Sequence, residues 1–352
     1  MIRIRNKGEE IKLFLLANIE SHPQDLSNLA VEHFHISRQA VNKHLHVLQT
    51  EGAISITGKT RNRSYELVAL VKWSGLYRIS PNLAEDIVWR DAIRPVLENQ
   101  PENIISIWHY GFTEIFNNAI DHSGGDEIFV QINITAANTE IFIMDNGIGI
   151  FKKIQTELNL LDERHAILEL SKGKLTTNPA NHTGEGIFFV SKMLDSFDIL
   201  SGGVFFTQKF SSPKDWIIER NSFEHGTSVW MRLSNHTVRT AKEIFSSFAS
   251  PDNDSFAKTV VPVRLAQYGN DKLISRSQAK RLLARVELFR TVIFNFEGVQ
   301  EIGQSFADEI FRVFVKHHPE ITILNSNANP EVHRMIERAK LGEIPITEVN
   351  TK

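Results

Sequence analysis

The chain has 352 residues, 41% of them hydrophobic and 23% charged, with a formal net charge of -3. That balance excludes a disordered polyion and any global electrostatic attraction to nucleic acid, and it leaves room for two or three folded units. With no cysteine, disulfides and thiolate metal sites are excluded, and no run approaches the roughly 18 apolar residues that a membrane span needs.

The opening MIRIRNKGEE is charged rather than apolar, so the chain reads as cytoplasmic with no membrane partner. Residues 9 to 20, EEIKLFLLANIE, and 25 to 34, DLSNLAVEHF, have helical apolar spacing. ISRQAVNKHLHVLQTEG follows, with Ser37 as N-cap and Gly52 as a stop. AISITGKTRNRSYELV alternates apolar and polar residues around a basic turn, which predicts a two-stranded hairpin. Residues 85 to 235 mix helices with strands such as EIFVQINI, EIFIMDN and TSVWMRL, and SPDNDS at 250 to 255 is a polar break. From 256 onward, KTVVPVRLA, SRSQAKRLLARVE, TVIFNF, SFADEIFRVFVKHH, ITILNS and NPEVHRMIERA alternate strand with helix.

Four short motifs in the middle stretch carry chemistry. HYGFTEIFNNAIDHSGG stacks Glu114, Asn118 and Asp121 on one face of an apolar helix. Burying that face without partners would cost several kcal/mol, so water or a charged ligand is expected against it. In IFIMDNGIGI an apolar run ends at Asp145, followed by Gly147 and Gly149, which permit tight turns and close ligand approach. NHTGEGIFFVSKMLDSF puts Thr183, Gly184 and Gly186 directly before a helical pattern, where backbone N–H groups can meet phosphate oxygens. EHGTSVWM supplies Gly226 and Thr227 before a strand.

In this order the four motifs resemble the ATP-binding fold of DNA gyrase, the heat-shock chaperones, histidine kinases and MutL, the GHKL superfamily, over about residues 85 to 235. The resemblance implies an α/β sandwich binding ATP with Mg²⁺ and allows slow hydrolysis. Glu114 would orient the attacking water and Asn118 would hold Mg²⁺. Asp145 would accept a hydrogen bond from the adenine amino group, with Gly147 and Gly149 beside it and Thr227 supporting that end. Gly184 and Gly186 would face the phosphates, with Asp121 and Thr183 in the same set. The stretch 151 to 182 would be a lid, in which Lys172 and Lys174 either touch the γ-phosphate or are merely solvated. Glu185, between the glycines, departs from the small or apolar residue commoner there.

The first 70 residues resemble winged helix-turn-helix domains of prokaryotic regulators. Such domains put the N-terminal residues of a recognition helix at base edges, here Ser37, Arg38, Gln39, Asn42 and Lys43. Lys59, Arg61 and Arg63 on the wing would hold phosphates of duplex DNA, unless the unit serves protein docking instead. His33, His35, His44 and His46 form no recognised metal spacing.

The stretch RTVIFNFEGVQEIGQSFADEIFRVF resembles STAS-like domains and, more distantly, the anti-anti-sigma factors phosphorylated by bacterial serine kinases. Ser305 occupies the comparable strand-to-helix turn, as a phosphoacceptor or as an N-cap. The fold class expected is therefore multi-domain α+β and α/β: a winged helix over 1–70, a GHKL domain over 85–235 and a STAS-like domain over 256–345. The leading functional expectation is an ATP-binding, DNA-binding regulator whose nucleotide state controls the flanking units. A protein serine kinase acting on a STAS domain, and a non-enzymatic docking protein with ATP as a structural ligand, remain open. A protein partner through the STAS-like unit and a homodimer are both compatible with this plan.

Overall fold

The computed structural model describes residues 7–59, 62–176, 183–210, 212–219, 225–250, 255–267 and 272–341. Arg61, residues 177–182 of the expected lid and residues 342–345 of the expected third unit lie outside the described residues. The architecture is mixed α+β with three sheets among the described residues.

The N-terminal unit contains α1 (Lys7–Asn18), α2 (Leu26–Phe34) and α3 (Arg38–Thr50), then an antiparallel pair, β1 (Ile54–Thr57) and β2 (Ser64–Leu67). Leu15, Val41, Leu45 and Leu48 recur at helical spacing and meet in a small core of their own. His35, with φ 52, ends α2 in the left-handed region, and Ser37 caps α3 by accepting the Ala40 N–H at 3.2 Å. The Ser37 cap is as expected, and exposed Arg38 donates to Asn28 Oδ1 on α2. Gln39, Asn42 and Lys43 are exposed on the opposite side of α3 from Val41 and Leu45, and Lys59 and Arg63 are exposed near the hairpin turn.

β3 (Val71–Arg78), upstream of the expected start at 85, pairs antiparallel with β4 (Glu127–Ile134) and so belongs to the central sheet. That sheet is seven-stranded and ordered β3-β4-β5-β9-β6-β7-β8, with β5 (Asn138–Asp145), β6 (Ser196–Ser201), β7 (Val204–Lys209), β8 (Ser212–Glu219) and β9 (Thr227–Ser234). Short helices α4 (Glu85–Val88) and α5 (Arg94–Val96) lead into α6 (Glu102–His122), which buries Ile104, Trp108, Phe112, Ile115 and Ala119 at three- and four-residue intervals. The same face of the sheet carries α7 (Ile150–Glu157), α8 (Glu163–Lys172), α9 (Gly186–Met193) and α10 (Ala241–Phe248). No described helix is long and apolar enough to cross a membrane.

The C-terminal unit is a parallel sheet, β10 (Lys258–Pro262), β11 (Thr291–Asn295) and β12 (Thr322–Ser326), crossed by α11 (Arg276–Leu283), α12 (Gln304–Asp308), α13 (Val315–His317) and α14 (Pro330–Lys340). Its strands are joined through helices, as parallel pairing demands. One apolar core runs through the central and C-terminal units, with Phe256 packed against Phe188, Phe189 and Phe289 at ring separations of 4.7, 4.9 and 5.2 Å.

Loss of the α3 cap leaves a helix N–H without its acceptor. Ser37→Ala is expected to destabilise the N-terminal unit by about 1 kcal/mol, read as a lower denaturant midpoint with an unchanged slope.

Candidate functional site

A cavity of about 290 Å³ opens between α6, the ends of β5 and β9, α7 and the start of α9. Period-two alternation along β5 turns Ile141, Ile143 and Asp145 toward the helices, so the last of them puts a carboxyl group at the floor of an apolar layer. Asp145 is 6% exposed, and one of its oxygens accepts the N–H groups of Gly147 at 2.9 Å and Thr227 at 3.3 Å. Burial pushes its carboxyl above the usual carboxylate range, against the pull of those hydrogen bonds. Thr227 serves a second element too, since its hydroxyl accepts the Ile150 N–H at 3.0 Å and fixes the start of α7.

Across the cavity, Glu114 and Asn118 stand one turn apart on α6 and both line the wall. A Cβ on Gly186 would lie 1.8 Å from a Glu114 carboxyl oxygen, so glycine there lets the first turn of α9 close onto the acid. Gly184 has φ +71, and an added Cβ would meet the Leu175 carbonyl oxygen at 2.5 Å. Gly147 is equally confined, with its Cβ position 2.1 Å from the Ser123 carbonyl oxygen, whereas Gly149 takes a left-handed turn at φ +87 beside Ser201.

The structure therefore brings together Glu114, Asn118, Asp145, Thr183, Gly184, Gly186 and Thr227 around one space, with Gly147 and Gly149 forming the turn beside Asp145. It does not bring Asp121 there. Asp121 is exposed and outside the cavity lining, while His122 and Ser123 next to it are in that lining, so at the end of α6 the face toward the cavity has turned away from the side that carries Asp121.

Lys174 does not line the cavity in this structure: its amine donates to the Leu288 carbonyl at 2.9 Å. Lys172 is neither solvated nor at the cavity but 1% exposed and paired with Glu169 at 2.7 Å.

Sequence reading passed over Lys153, the lysine in the cavity wall, whose amine donates to the His122 carbonyl at 3.0 Å. Its signal is its place three residues after Ile150 and next to Ile154, both of which also line the space. Asn117 and His122 line it as well.

Tyr110 lies nearby, its hydroxyl pushed upward by burial and by the Glu114 and Glu185 carboxylates. Burial also raises the Glu185 carboxyl, with Lys174 opposing.

Among the described residues, no group of three or more histidine, cysteine, aspartate or glutamate side chains is placed to hold a metal ion. A divalent cation here would take one or two protein oxygens, from Asn118 and its surroundings, and draw the rest from a phosphate ligand and water. Mg²⁺ favours that arrangement.

The family model for a STAS-like domain of unknown function (DUF4325) matches residues 278–333. The match runs from α11 through β11, α12, α13 and β12 into α14, so this part of the C-terminal unit is STAS-like. No curated protein matches the chain. Within the matched stretch Ser305 is exposed and is the second residue of α12, whose N-cap is Gly303. The N-cap role for Ser305 is thereby corrected.

Gly186→Ala forces a methyl group into Glu114 and is expected to cost about 1–3 kcal/mol. Glu114→Ala in the same chain should recover most of that loss, which a double-mutant cycle by denaturant unfolding measures.

Proposed function

We propose that this protein is an ATP-binding regulator, with a GHKL-type nucleotide domain at its centre and a winged helix that reads duplex DNA at its N-terminus. The observation that carries the nucleotide reading is the buried Asp145 carboxyl at the floor of a cavity, with Glu114 and Asn118 across it and the Gly184–Gly186 turn at the mouth. A buried acceptor beside an apolar wall suits an exocyclic amine on a flat base. Glycine turns with open N–H groups suit phosphates.

In this reading Asp145 accepts from the adenine amino group, held in place by Gly147 and Thr227. Asn118 supplies a metal oxygen, and Mg²⁺, when bound, neutralises charge between the phosphates. Glu114, pressed against the first turn of α9, is the group able to orient water toward the terminal phosphate. Lys153 joins the set as a cation on the cavity wall.

The DNA reading rests on the exposed α3 face of Gln39, Asn42 and Lys43, flanked by exposed Lys59 and Arg63. Glutamine and asparagine offer paired contacts to adenine edges and Lys43 reaches guanine, while Lys59 and Arg63 neutralise phosphates. One further reading has its own support: Ser305 is exposed in the first turn of α12 inside the STAS-like stretch, an accessible hydroxyl for phosphoryl transfer.

Calorimetry with ATP and Mg²⁺ is expected to show binding by the wild type and a loss of about tenfold or more in Asp145→Asn, which removes a charged acceptor. With γ-labelled ATP, free phosphate that Glu114→Ala suppresses marks hydrolysis; label on protein that Ser305→Ala removes marks a serine kinase. Lack of binding by the wild type contradicts the nucleotide reading.

For DNA, Lys59→Ala and Arg63→Ala should weaken binding to all duplexes and flatten its salt dependence, while Gln39→Ala should relax sequence preference. Mobility-shift titrations over a salt series separate the two.

A further inference from the structure

At the cavity, the Leu175 N–H donates to the Gly184 carbonyl at 3.0 Å. Immediately before Leu175, Lys172 to Lys174 leave α8 against the C-terminal unit. The buried Lys172 amine donates to Glu169 at 2.7 Å, to the Arg281 carbonyl at 3.1 Å and to the Ala284 carbonyl at 2.7 Å. The Lys172 carbonyl in turn accepts the Thr259 hydroxyl at 2.6 Å.

Lys174 is held from three sides. Its amine donates to the Leu288 carbonyl and lies 5.5 and 5.0 Å from the Phe256 and Phe289 ring centroids. Its carbonyl accepts from the Arg285 guanidinium, which also lies 3.7 Å from Glu169. Lys174 and Arg285 both have left-handed backbones, φ 53 and 62. Such conformations cost about 1–3 kcal/mol each and persist where the surroundings over-determine them.

Apart from Glu169, every one of these partners belongs to the C-terminal unit. Arg281, Ala284, Arg285, Leu288 and Phe289 fall inside the STAS-like match.

We propose that the STAS-like unit is a restraint on the nucleotide site, holding the Lys174 ammonium outside the cavity and thereby lowering affinity for a triphosphate. The proposal rests on the nucleotide reading of the cavity. Lys174 immediately precedes Leu175 and Thr176, which line the space, and its charge acts on Glu185 in the glycine turn. Once released, the ammonium has the cavity mouth as its neighbour. A phosphate there offers stronger charge-assisted hydrogen bonds than the neutral Leu288 carbonyl. Whatever loosens the clamp from the STAS-like side therefore raises nucleotide affinity, and by reciprocity a bound triphosphate weakens the clamp.

Two substitutions away from the cavity test this in the full chain. Arg285→Gly removes the guanidinium while suiting the left-handed backbone, and Phe289→Leu opens the aromatic cage. Titrated by calorimetry with Mg²⁺ and a non-hydrolysable ATP analogue, both are expected to bind roughly fivefold or more tightly than the wild type. Adding Lys174→Ala to either should abolish the gain. Equal or weaker binding by both variants, or a gain that survives Lys174→Ala, overturns the restraint while leaving the nucleotide reading intact. Absence of binding by every protein, wild type included, overturns the nucleotide reading and the proposal with it.

Discussion

The Lys172 ammonium, 1% exposed, is the constraint on which the joint between the central and C-terminal units depends. An ammonium out of water is tolerable only when its protons find oxygens, and here one carboxylate on α8 and two carbonyls of the C-terminal unit supply them. Burial alone would raise the Glu169 carboxyl, but His165, Lys172 and Arg285 around it outweigh that and hold it below the usual carboxylate range. Burial pulls the Lys172 ammonium down, with Glu169 opposing. The C-terminal unit cannot move away without taking two acceptors from this ammonium, so the end of α8, whose apolar face packs in the central unit, is also held by the neighbour.

The candidate site follows the same logic of one polar group set in an apolar layer. Asp145 is on the helix-facing side of β5 only because strand alternation puts it in phase with Ile141 and Ile143. Its cost is offset by two backbone donors, one from its own turn and one from β9. The glycines around it are required for lack of room. Gly147 meets a carbonyl and Gly186 meets the Glu114 carboxyl, so the acid on α6 and the turn before α9 specify each other.

Local periodicity was readable along the chain wherever both partners of an interaction lie within a few residues. The Glu114–Asn118 face, the end of β5 at Asp145 and the Ser37 cap are of this kind, and α1 to α3 and the hairpin lie close to their expected bounds. The roles of Lys172 and Lys174 were not readable, because the carbonyls that hold them lie 109, 112 and 114 residues away along the chain. β3 escaped notice for another reason: at the sheet edge its Leu76 stays 62% exposed, so burial does not mark the strand. Asp121 was misplaced because the face of α6 that lines the cavity shifts along the helix, from Glu114 and Asn118 to His122 and Ser123. Lys153 was hidden by its neighbour Lys152, since only the start of α7, set by Thr227, decides which of the two faces inward.

If the cavity and the STAS-like unit are joined through α8, a ligand in the first must be felt in the second. Hydrogen exchange of the wild-type chain, followed by mass spectrometry with and without Mg²⁺ and a non-hydrolysable ATP analogue, measures both ends at once. The account predicts slower exchange over residues 111–119 and 143–150 and faster exchange over residues 281–289, where the clamp lets go. Slower exchange at the cavity with no change over 281–289 would contradict the coupling.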